Sequence, residues 1–378
     1  MDSSQKYDMI RSLAKEFAET EFTKEVLDEA EETGQLSFEV LQKMADAGFF
    51  GIKIPVKYGG QGGDCMAYTI VMEELCQKST VAGVYVSLAN SLGSAPIITA
   101  GTEEQKNRYL PGIADGTGRT CFGLTEPGAG SDAASMQTKA VKDGSEYVIN
   151  GSKCFISMAP ISDYGIIFAK TAPFIGTKSI TAFIVDLHLP GVSFGKPENK
   201  MGIEGCPTSD IVFEDVRIPE SCRLGAEGKG YGLAMGTLDL GRMGAAAQAL
   251  GTAVGCLNES INYAKERKQF GKPIGKFQSL SFMLADMATD VEAMRRLTYY
   301  SAEVRDKGLK DANAACMAKL FCGEKVNEIA YKAVQIHGGY GYMKEYAVER
   351  KYRDARILSI YEGTSQVQQM VISGNLMR

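Results

Sequence analysis

Glu362 is the residue of this sequence that could most directly take part in a reaction. It lies in Tyr361-Glu362-Gly363-Thr364, a short break within sequence that otherwise has a helical pattern. A carboxylate in a desolvated pocket has a raised pKa and is a better base, and a neighbouring glycine lets the backbone approach a ligand closely. Such a group can remove a weakly acidic proton beside a carbonyl. The alternative is an exposed acid at a helix start, with Thr364 and Ser365 as capping residues.

A second candidate is the glycine- and hydroxyl-rich stretch Phe122–Asp132. Its backbone N–H groups could hold a pyrophosphate or the edge of a ring, although a plain turn is an equally good interpretation. Gly128, Gly130 and Ala133 match the spacing of a dinucleotide fingerprint. Because Thr-Glu-Pro precedes them and strand-like sequence follows, we disfavour a Rossmann site.

Cationic and glycine-rich segments toward the C-terminus could bind phosphate. The fork of Arg267 suits phosphate oxygens, but an arginine in a Lys/Arg-rich stretch is also an ordinary solvated helix residue. Gly338-Gly339 alone would be a helix C-cap. Asp239 and Arg242 have the i,i+3 spacing of a helical ion pair worth a few tenths of a kcal/mol.

Hydrophobic periodicity divides the chain into three segments that must position these residues. We predict a helical domain over 1–115, a β domain over 116–225 and a helical bundle over 226–378. Within the β domain, Asn150-Gly151 predicts a type I′ hairpin turn between Tyr147–Ile149 and Lys153–Ile156. One apolar stripe of the bundle comprises Leu284, Met287, Val291, Met294 and Leu297.

Bulk composition narrows the classes of function. A hydrophobic fraction of 44% and a charged fraction of 23% are typical of a soluble globular protein, and a net charge of -5 gives no reason to expect nucleic-acid binding. Nine cysteines without a CxxC pair, and only two histidines, make a zinc site improbable and favour free thiols. We find no apolar run near the roughly 20 residues of a membrane span and no targeting segment, so we expect a cytoplasmic protein.

Five blocks in the same order together resemble the acyl-CoA dehydrogenase family, and their joint pattern is far more specific than any one block. The nearest similarity is to short-chain or butyryl-CoA dehydrogenases and to anaerobic enoyl-CoA reductases of the caffeyl-CoA reductase type. The blocks are Phe122–Asp132, Asn150–Ser157, Arg267–Pro273 with Phe277-Gln278, Gln335–Gly341 and Ile360–Gln366.

The resemblance implies the helical, β and helical domains of the acyl-CoA dehydrogenase fold and a homotetramer built as a dimer of dimers. It implies FAD between the middle and C-terminal domains, reaching into a neighbouring subunit. Phe155 stands where most relatives have Trp, and Ser157 replaces a common Thr. The residues expected to bind FAD are Phe122, Leu124, Thr125, Gly130, Ser131, Phe155, Ile156, Ser157, Arg267, Phe277, Gln278, Gln335, Ile336, His337, Gly338, Gly339, Thr364, Ser365 and Gln366.

By the same resemblance, Glu362 is the catalytic base, and its backbone N–H helps to polarise the thioester carbonyl. Some relatives carry the base on an earlier helix, but the matching position here is Gly241, which cannot act. The residues expected to contact substrate are Ser131, Asp239, Arg242 and Gly363.

The expected reaction is interconversion of an acyl-CoA and its trans-2-enoyl-CoA, with electrons exchanged with an electron-transferring flavoprotein. Gly83 falls where a glutaryl-CoA enzyme would place an arginine, which disfavours a dicarboxylic substrate. Ala95 and Gln369 replace a common aromatic residue and a common arginine, so we expect an altered acyl pocket and consider an aryl substrate such as caffeyl-CoA, reduced in an electron-bifurcating complex. The remaining alternatives are an acyl-CoA oxidase and a non-catalytic scaffold.

Overall fold

The computed structural model describes residues 3–309 and 311–377. Its N-terminal part is helical, and a wider π-helical turn at Leu88–Gly93 joins α5 to α6. A Thr102–Gln105 capping box starts α7, in which each side chain bonds the other residue's backbone N–H. The helices are α1 (Ser3–Glu21), α2 (Lys24–Thr33), α3 (Phe38–Asp46), α4 (Cys65–Cys76), α5 (Thr80–Ser87), α6 (Ser94–Ala100) and α7 (Glu103–Asp115).

The middle of the chain forms one mainly antiparallel sheet of eight strands. The strand order is β6-β7-β3-β2-β4-β5-β8, and β1 pairs with β4 in parallel. The strands are β1 (Thr120–Gly123), β2 (Lys139–Asp143), β3 (Glu146–Ser157), β4 (Tyr164–Lys170), β5 (Ile180–Asp186), β6 (Val192–Phe194), β7 (Thr208–Pro219) and β8 (Arg223–Leu224).

The predicted hairpin at Asn150-Gly151 is wrong, because β3 runs straight through these residues. Both halves of β3 pair with β7, and the register shifts between Ile149 and Gly151 as in a β-bulge. The Asn150 side chain occupies the irregularity by donating to Asp215 Oδ1 at 3.0 Å and accepting from the Asp215 N–H at 2.8 Å. The Asn-Gly signal therefore marks a bulge, while the β2–β3 hairpin turns at Gly144, as its Asp-Gly pair predicts.

The C-terminal part is a bundle of long helices joined by short turns. The stripe predicted on α9 is confirmed, since Met287, Val291 and Met294 are buried and the two flanking leucines pack against them. The elements are α8 (Gly230–Glu266), β9 (Lys268–Gln269), β10 (Lys272–Pro273), α9 (Gln278–Asp306), α10 (Ala314–His337), α11 (Ala347–Ala355) and α12 (Ser365–Leu376).

Helix α8 connects the two helical parts, and its 37 residues extend for about 55 Å. Its first half packs in the N-terminal core and its second half in the bundle core, while a third core fills the sheet. Small residues let α8 lie against the backbone of α4. A Cβ at Gly251 would lie 2.7 Å from Cys76 Cβ, and one at Gly255 would lie 3.0 Å from the carbonyl carbon of Gln77.

One helical run, Thr80–Ala100, is long and apolar enough to cross a membrane by length and composition. We did not expect this run from the sequence. Within the structure, 72% of its apolar window is buried, because α5 and α6 form part of the N-terminal core. Its composition is thus accounted for by packing inside the protein.

Replacing Gly251 by alanine should destabilise the fold, because the new methyl group would overlap the α4 backbone. We expect a loss of about 1–3 kcal/mol, seen as a thermal midpoint several degrees lower. Gly236 in the same helix is the matched control, since a Cβ there meets no atom within 4 Å. Gly236→Ala should leave the midpoint unchanged or raise it slightly. Equal midpoints for the two variants would contradict this account of the α4–α8 contact.

Candidate active site

A cavity lies where the sheet meets the two helical parts. Its walls come from α5 and the π-helical turn, from the segment after β1, from the end of β3, from α8 and from the turn before α12. Ten of the residues predicted from the sequence line this cavity: Phe122, Leu124, Thr125, Gly130, Ser131, Phe155, Ser157, Arg242, Glu362 and Gly363.

Glu362 lies on the turn that precedes α12, with a left-handed φ of +57°. Its Oε2 atom is sealed from solvent and has no hydrogen-bond partner among the described residues. Burial raises the pKa of this carboxyl to about 7, and the positive charges of Arg242 and Lys319 only partly oppose that shift. A carboxyl with this pKa exists in both protonation states near neutral pH and can act as base or acid.

Gly241 on α8 provides the space in which the Glu362 carboxylate lies. A Cβ at this position would be 2.8 Å from Glu362 Cδ and closer still to Oε2. The two residues are 121 positions apart in sequence, and the absence of a side chain at 241 is what lets the carboxylate approach α8. The position that cannot supply a base thus makes room for the carboxylate carried by the last turn.

Arg242 and Asp239 form an ion pair of 2.5 Å, but they occupy different environments. Arg242 lines the cavity and is 7% exposed, and its Nε atom has no hydrogen-bond partner in the part of the chain that the structure describes. Asp239 is about half exposed and does not line the cavity. Of the four residues predicted to contact substrate, Asp239 therefore contributes to the cavity only through Arg242.

The loop after β1 is held by a buried ion pair that the sequence analysis missed. Lys153 on β3 is fully buried and donates to Glu126 Oε1 at 2.7 Å and to the Leu124 carbonyl at 3.2 Å. Glu126 also accepts from the N–H of Thr138 at 3.1 Å. Burial lowers the pKa of Lys153 to about 8, while Glu126 opposes that shift. The pair fixes Leu124 and Thr125 against the end of β3.

Side chains alternate between the two faces of β3, so the predicted residues at its end point in different directions. Phe155, with φ +57°, is 67% exposed and faces the cavity with Ser157. The Ile156 side chain is 3% exposed and packs in the core of the sheet. The side chain of Ile156 points inward because it lies between two outward-facing side chains, and the expected contact of Ile156 with FAD stays a prediction.

Most of the remaining predicted residues line a second, open groove at the bundle surface. The Arg267 guanidinium lies 5.2 Å from the Tyr340 ring centroid. The His337 ring stacks on Tyr263 and bonds the Ala333 carbonyl, and burial lowers its pKa. Gln278, exposed as the first residue of α9, adjoins this groove without lining it. The predicted residues that line it are Arg267, Phe277, Gln335, Ile336, His337, Gly338 and Gly339.

Thr364, Ser365 and Gln366 line a third groove, on the other side of the turn that carries Glu362. Thr364 caps α12, since its hydroxyl accepts from the Val367 N–H at 3.2 Å. The capping role considered as the alternative for this region is therefore present. It applies to Thr364, and it orients the turn rather than competing with a role for Glu362.

Three substitutions considered for the acyl pocket lie outside the cavity wall. Ala95 packs partly buried against the N-terminal core, and Gln369 is exposed on α12. Gly83 is buried against Cys76 and Gln248, and the neighbouring Val84 takes the lining position. The hypothesis that Ala95 widens the pocket directly is therefore not supported. The apolar lining consists of Val84, Leu88, Leu92, Tyr231, Met235 and Leu238, among others.

Family profiles match nearly the whole chain. They describe the N-terminal, middle and C-terminal domains of acyl-CoA dehydrogenases, over residues 4–117, 121–216 and 228–377. The chain belongs to the acyl-CoA dehydrogenase family, and it has the family's three-part fold. It is an oxidoreductase of the acyl-CoA dehydrogenase and enoyl-CoA reductase class, and its cofactor is FAD.

Three individual relatives are similar to the chain over almost its whole length. The chain is 56% identical over 375 residues to the CarC subunit of the caffeyl-CoA reductase-Etf complex of Acetobacterium woodii, covering 99% of each chain. It is 51% identical over 375 residues to a 3-(aryl)acrylate reductase of Clostridium sporogenes, again covering 99% of each. The solved structure of butyryl-CoA dehydrogenase from Megasphaera elsdenii superposes with a TM-score of 0.95 at 42% identity, covering 98% of each chain.

The residues around the cavity fit an FAD molecule. Phe155 offers an exposed aromatic ring, Thr125 and Ser157 offer hydroxyls, and the backbone at Gly130 faces open space. In the second groove, Gly338 and Gly339 leave similar space, because a Cβ at either would meet no atom within 4 Å. Open backbone beside a cationic Arg267 suits a pyrophosphate.

Replacing Gly241 by alanine should displace the Glu362 carboxylate, because the methyl group would occupy its place. Turnover should fall about 100-fold, the loss that a displacement of about 1 Å can cause. FAD content and thermal midpoint should change little, since the overlap falls on one movable side chain. Gly232→Ala in the same helix is the control, because a Cβ there contacts no atom within 4 Å. Full activity of Gly241→Ala would show that the contact does not constrain Glu362.

Proposed function

We propose that the protein interconverts an acyl-CoA and its trans-2-enoyl-CoA, with Glu362 exchanging the α-proton and FAD the β-hydride. The observation that carries the proposal is the unpartnered, buried carboxylate of Glu362 in the same cavity as the aromatic and hydroxyl residues of the FAD-binding blocks. The chemistry that FAD supplies is exchange of a hydride with the β-carbon. The three segments 1–115, 116–225 and 226–378 are the proposed domains.

In the oxidative direction, Glu362 takes the α-proton while the C–H bond at the β-carbon gives up its electron pair and hydrogen, and the α,β double bond forms. The thioester oxygen gains negative charge as the α-proton leaves. The backbone N–H of Glu362 is suited to stabilise that charge, since no backbone acceptor among the described residues engages it. Arg242 adds a positive charge to the same cavity.

In the reductive direction, the same carboxyl supplies a proton to the α-carbon. Its raised pKa favours this reversal, because an ordinary carboxylate would be almost fully ionised at neutral pH. Leu88, Leu92 and Met235 give the cavity apolar walls, against which a bound acyl chain would pack in place of water. Exclusion of water strengthens the interaction of Arg242 and Glu362 with the thioester.

We further propose an aryl-substituted enoyl-CoA as the physiological substrate and reduction as its direction. The support is similarity: one relative belongs to a caffeyl-CoA reductase complex and another is a 3-(aryl)acrylate reductase. Tyr231, Met235 and Leu238 give the cavity one flank of large side chains from α8 against which a planar ring could pack. A short alkyl chain, as in butyryl-CoA dehydrogenase, is the competing substrate class.

An electron-transferring flavoprotein is the proposed partner, because the Acetobacterium relative is a subunit of an Etf complex. We also propose a homo-oligomer arranged as a dimer of dimers. Its support is that the predicted FAD residues of one chain are divided between the cavity and two separate grooves. A neighbouring subunit would bring complementary sets together. Nine free cysteines favour the reducing environment of the cytoplasm.

Glu362→Gln should abolish bleaching of the flavin absorbance by acyl-CoA under anaerobic conditions while retaining bound FAD. Glutamine keeps the size of the side chain but cannot accept the α-proton. Glu328→Gln is the control, because Glu328 is an exposed partner of Lys325 on α10. Equal bleaching by wild type and Glu362→Gln would exclude Glu362 as the base, and bleaching by neither wild type nor control would favour a scaffold role. Rapid reoxidation of the reduced enzyme by oxygen would instead favour an oxidase.

The pH dependence should have opposite signs in the two directions. Since burial raises the Glu362 pKa to about 7, kcat/KM for acyl-CoA oxidation should rise as pH increases through about 7. For enoyl-CoA reduction, which needs protonated Glu362, kcat/KM should fall over the same interval. Steady-state oxidation of dihydrocaffeyl-CoA and butyryl-CoA, and reduction of caffeyl-CoA and crotonyl-CoA, would provide both profiles and compare the substrate classes. Profiles of the same sign in both directions would contradict the acid–base assignment, and much faster turnover of the alkyl compounds would contradict the aryl substrate.

A further inference from the structure

Lys319 is a buried cation beside the turn that carries Glu362. It lies on α10, is 1% exposed, and donates from Nζ to the Gly363 carbonyl at 2.6 Å. A lysine is rarely buried this deeply without a specific partner. Its partner here is the backbone next to the base, 44 residues further along the chain.

Gln368 holds the same turn from the opposite side. It is fully buried on α12, and its Nε2 donates to the carbonyls of Glu362 at 3.1 Å and Gly363 at 2.9 Å. Both residues of the turn have left-handed backbones, with φ of +57° at Glu362 and +88° at Gly363. A non-glycine residue in that conformation costs free energy and persists only where its surroundings impose it.

We propose that Lys319 is a positioning residue for the reaction: its bond to the Gly363 carbonyl fixes the Glu362 turn and holds a buried positive charge beside it. The inference rests on the proposed role of Glu362. Lys319 does not line the cavity, so it acts through the turn and through its electric field. Without the cation, the Glu362 carboxylate would lose one of the two positive charges that favour its ionised form.

Several charged groups act on this arrangement. Arg242 approaches from α8 and, like Lys319, favours ionised Glu362. Glu324, one turn further along α10, favours protonated Lys319 and accepts a hydrogen bond from Ser365. Tyr68 from α4 and Tyr361 have pKa values raised mainly by burial, so both remain neutral near pH 7. Burial also lowers the Lys319 pKa to about 8, which keeps most of its population charged at neutral pH.

The alternative is that Lys319 only supports the packing of α10 against α12. A structural role would affect thermal stability and FAD content but not the pH at which the base titrates. Lys319→Gln retains a donor without the charge, whereas Lys319→Arg retains the charge with a different shape. Comparing the two variants separates the electrostatic contribution from the hydrogen bond.

The experiment measures kcat, KM and the pH profile of kcat/KM for acyl-CoA oxidation in FAD-loaded enzyme. For Lys319→Gln we expect kcat about 10- to 100-fold lower, as for loss of a group that orients a catalytic residue, with little change in KM. Its pH midpoint should move upward, because removing a positive charge disfavours the carboxylate. Lys319→Arg should keep the midpoint near that of wild type. Lys325→Met on the same helix is the control, since Lys325 pairs at the surface with Glu328.

An unchanged midpoint and kcat in Lys319→Gln would overturn the inference. If that variant does not load FAD, Lys319→Arg decides: reduced kcat with an unshifted midpoint supports positioning, and kcat and midpoint both equal to wild type contradict it. Glu362→Gln, measured in parallel, keeps the two proposals apart. An active Glu362→Gln variant would contradict the assignment of Glu362 as the base. An inactive Glu362→Gln variant, together with wild-type behaviour of Lys319→Gln, would contradict only the role of Lys319.

Discussion

Burial of the Glu362 Oε2 atom, which has no hydrogen-bond partner within residues 3–309 and 311–377, is the constraint around which the site is organised. An isolated buried carboxylate is costly, so it is tolerated only where its pKa can rise and nearby cations offset the loss of water. The protein meets this condition with Arg242 from α8 and Lys319 from α10. Two helices and the last turn must therefore meet at one point, and Gly241 leaves the space for that meeting.

The remainder of the fold keeps that meeting point rigid. Small residues let α8 lie against the α4 backbone, which joins the N-terminal helices to the bundle through one continuous element. On the opposite wall, the Lys153–Glu126 pair fixes the loop after β1 to β3. A buried ion pair is weak evidence for added stability, because desolvation offsets much of its attraction. Its evident consequence here is geometric, since it sets the position of Leu124 and Thr125.

The division of the predicted FAD residues among a cavity and two surface grooves accords with the proposed dimer of dimers. The cavity supplies a ring-binding region and a carboxyl, while Arg267 and the glycines after α10 lie in an open groove. An open groove lined by aromatic residues and an arginine is typical of a surface that is completed by another chain. Cofactor binding and assembly would then stabilise one another, because a ligand held by two subunits favours their association.

The sequence by itself determined the order of helical, strand and helical segments, because hydrophobic periodicity reports which face of each element is buried. It also determined the family, because five blocks occur together in the family's order and no single block would have been specific enough. Local patterns were misleading where a neighbouring element decided the outcome. Asn150-Gly151 has the composition of a hairpin turn, yet pairing of both flanks with β7 makes it a bulge. Within the block Asn150–Ser157, the pleat of β3 turns the side chain of Ile156 into the core.

Only the tertiary structure decided which distant residues serve Glu362. Gly241, Lys319 and Gln368 carry no local signal of that role, since a helical glycine, lysine or glutamine is ordinary in sequence. Their contacts join positions 241, 319 and 368 to the turn at 361–363. Such contacts depend on how α8, α10 and α12 pack together, which periodicity and residue type do not encode locally. The sequence therefore singled out Glu362 as the proposed base, and packing determined its charge balance and position.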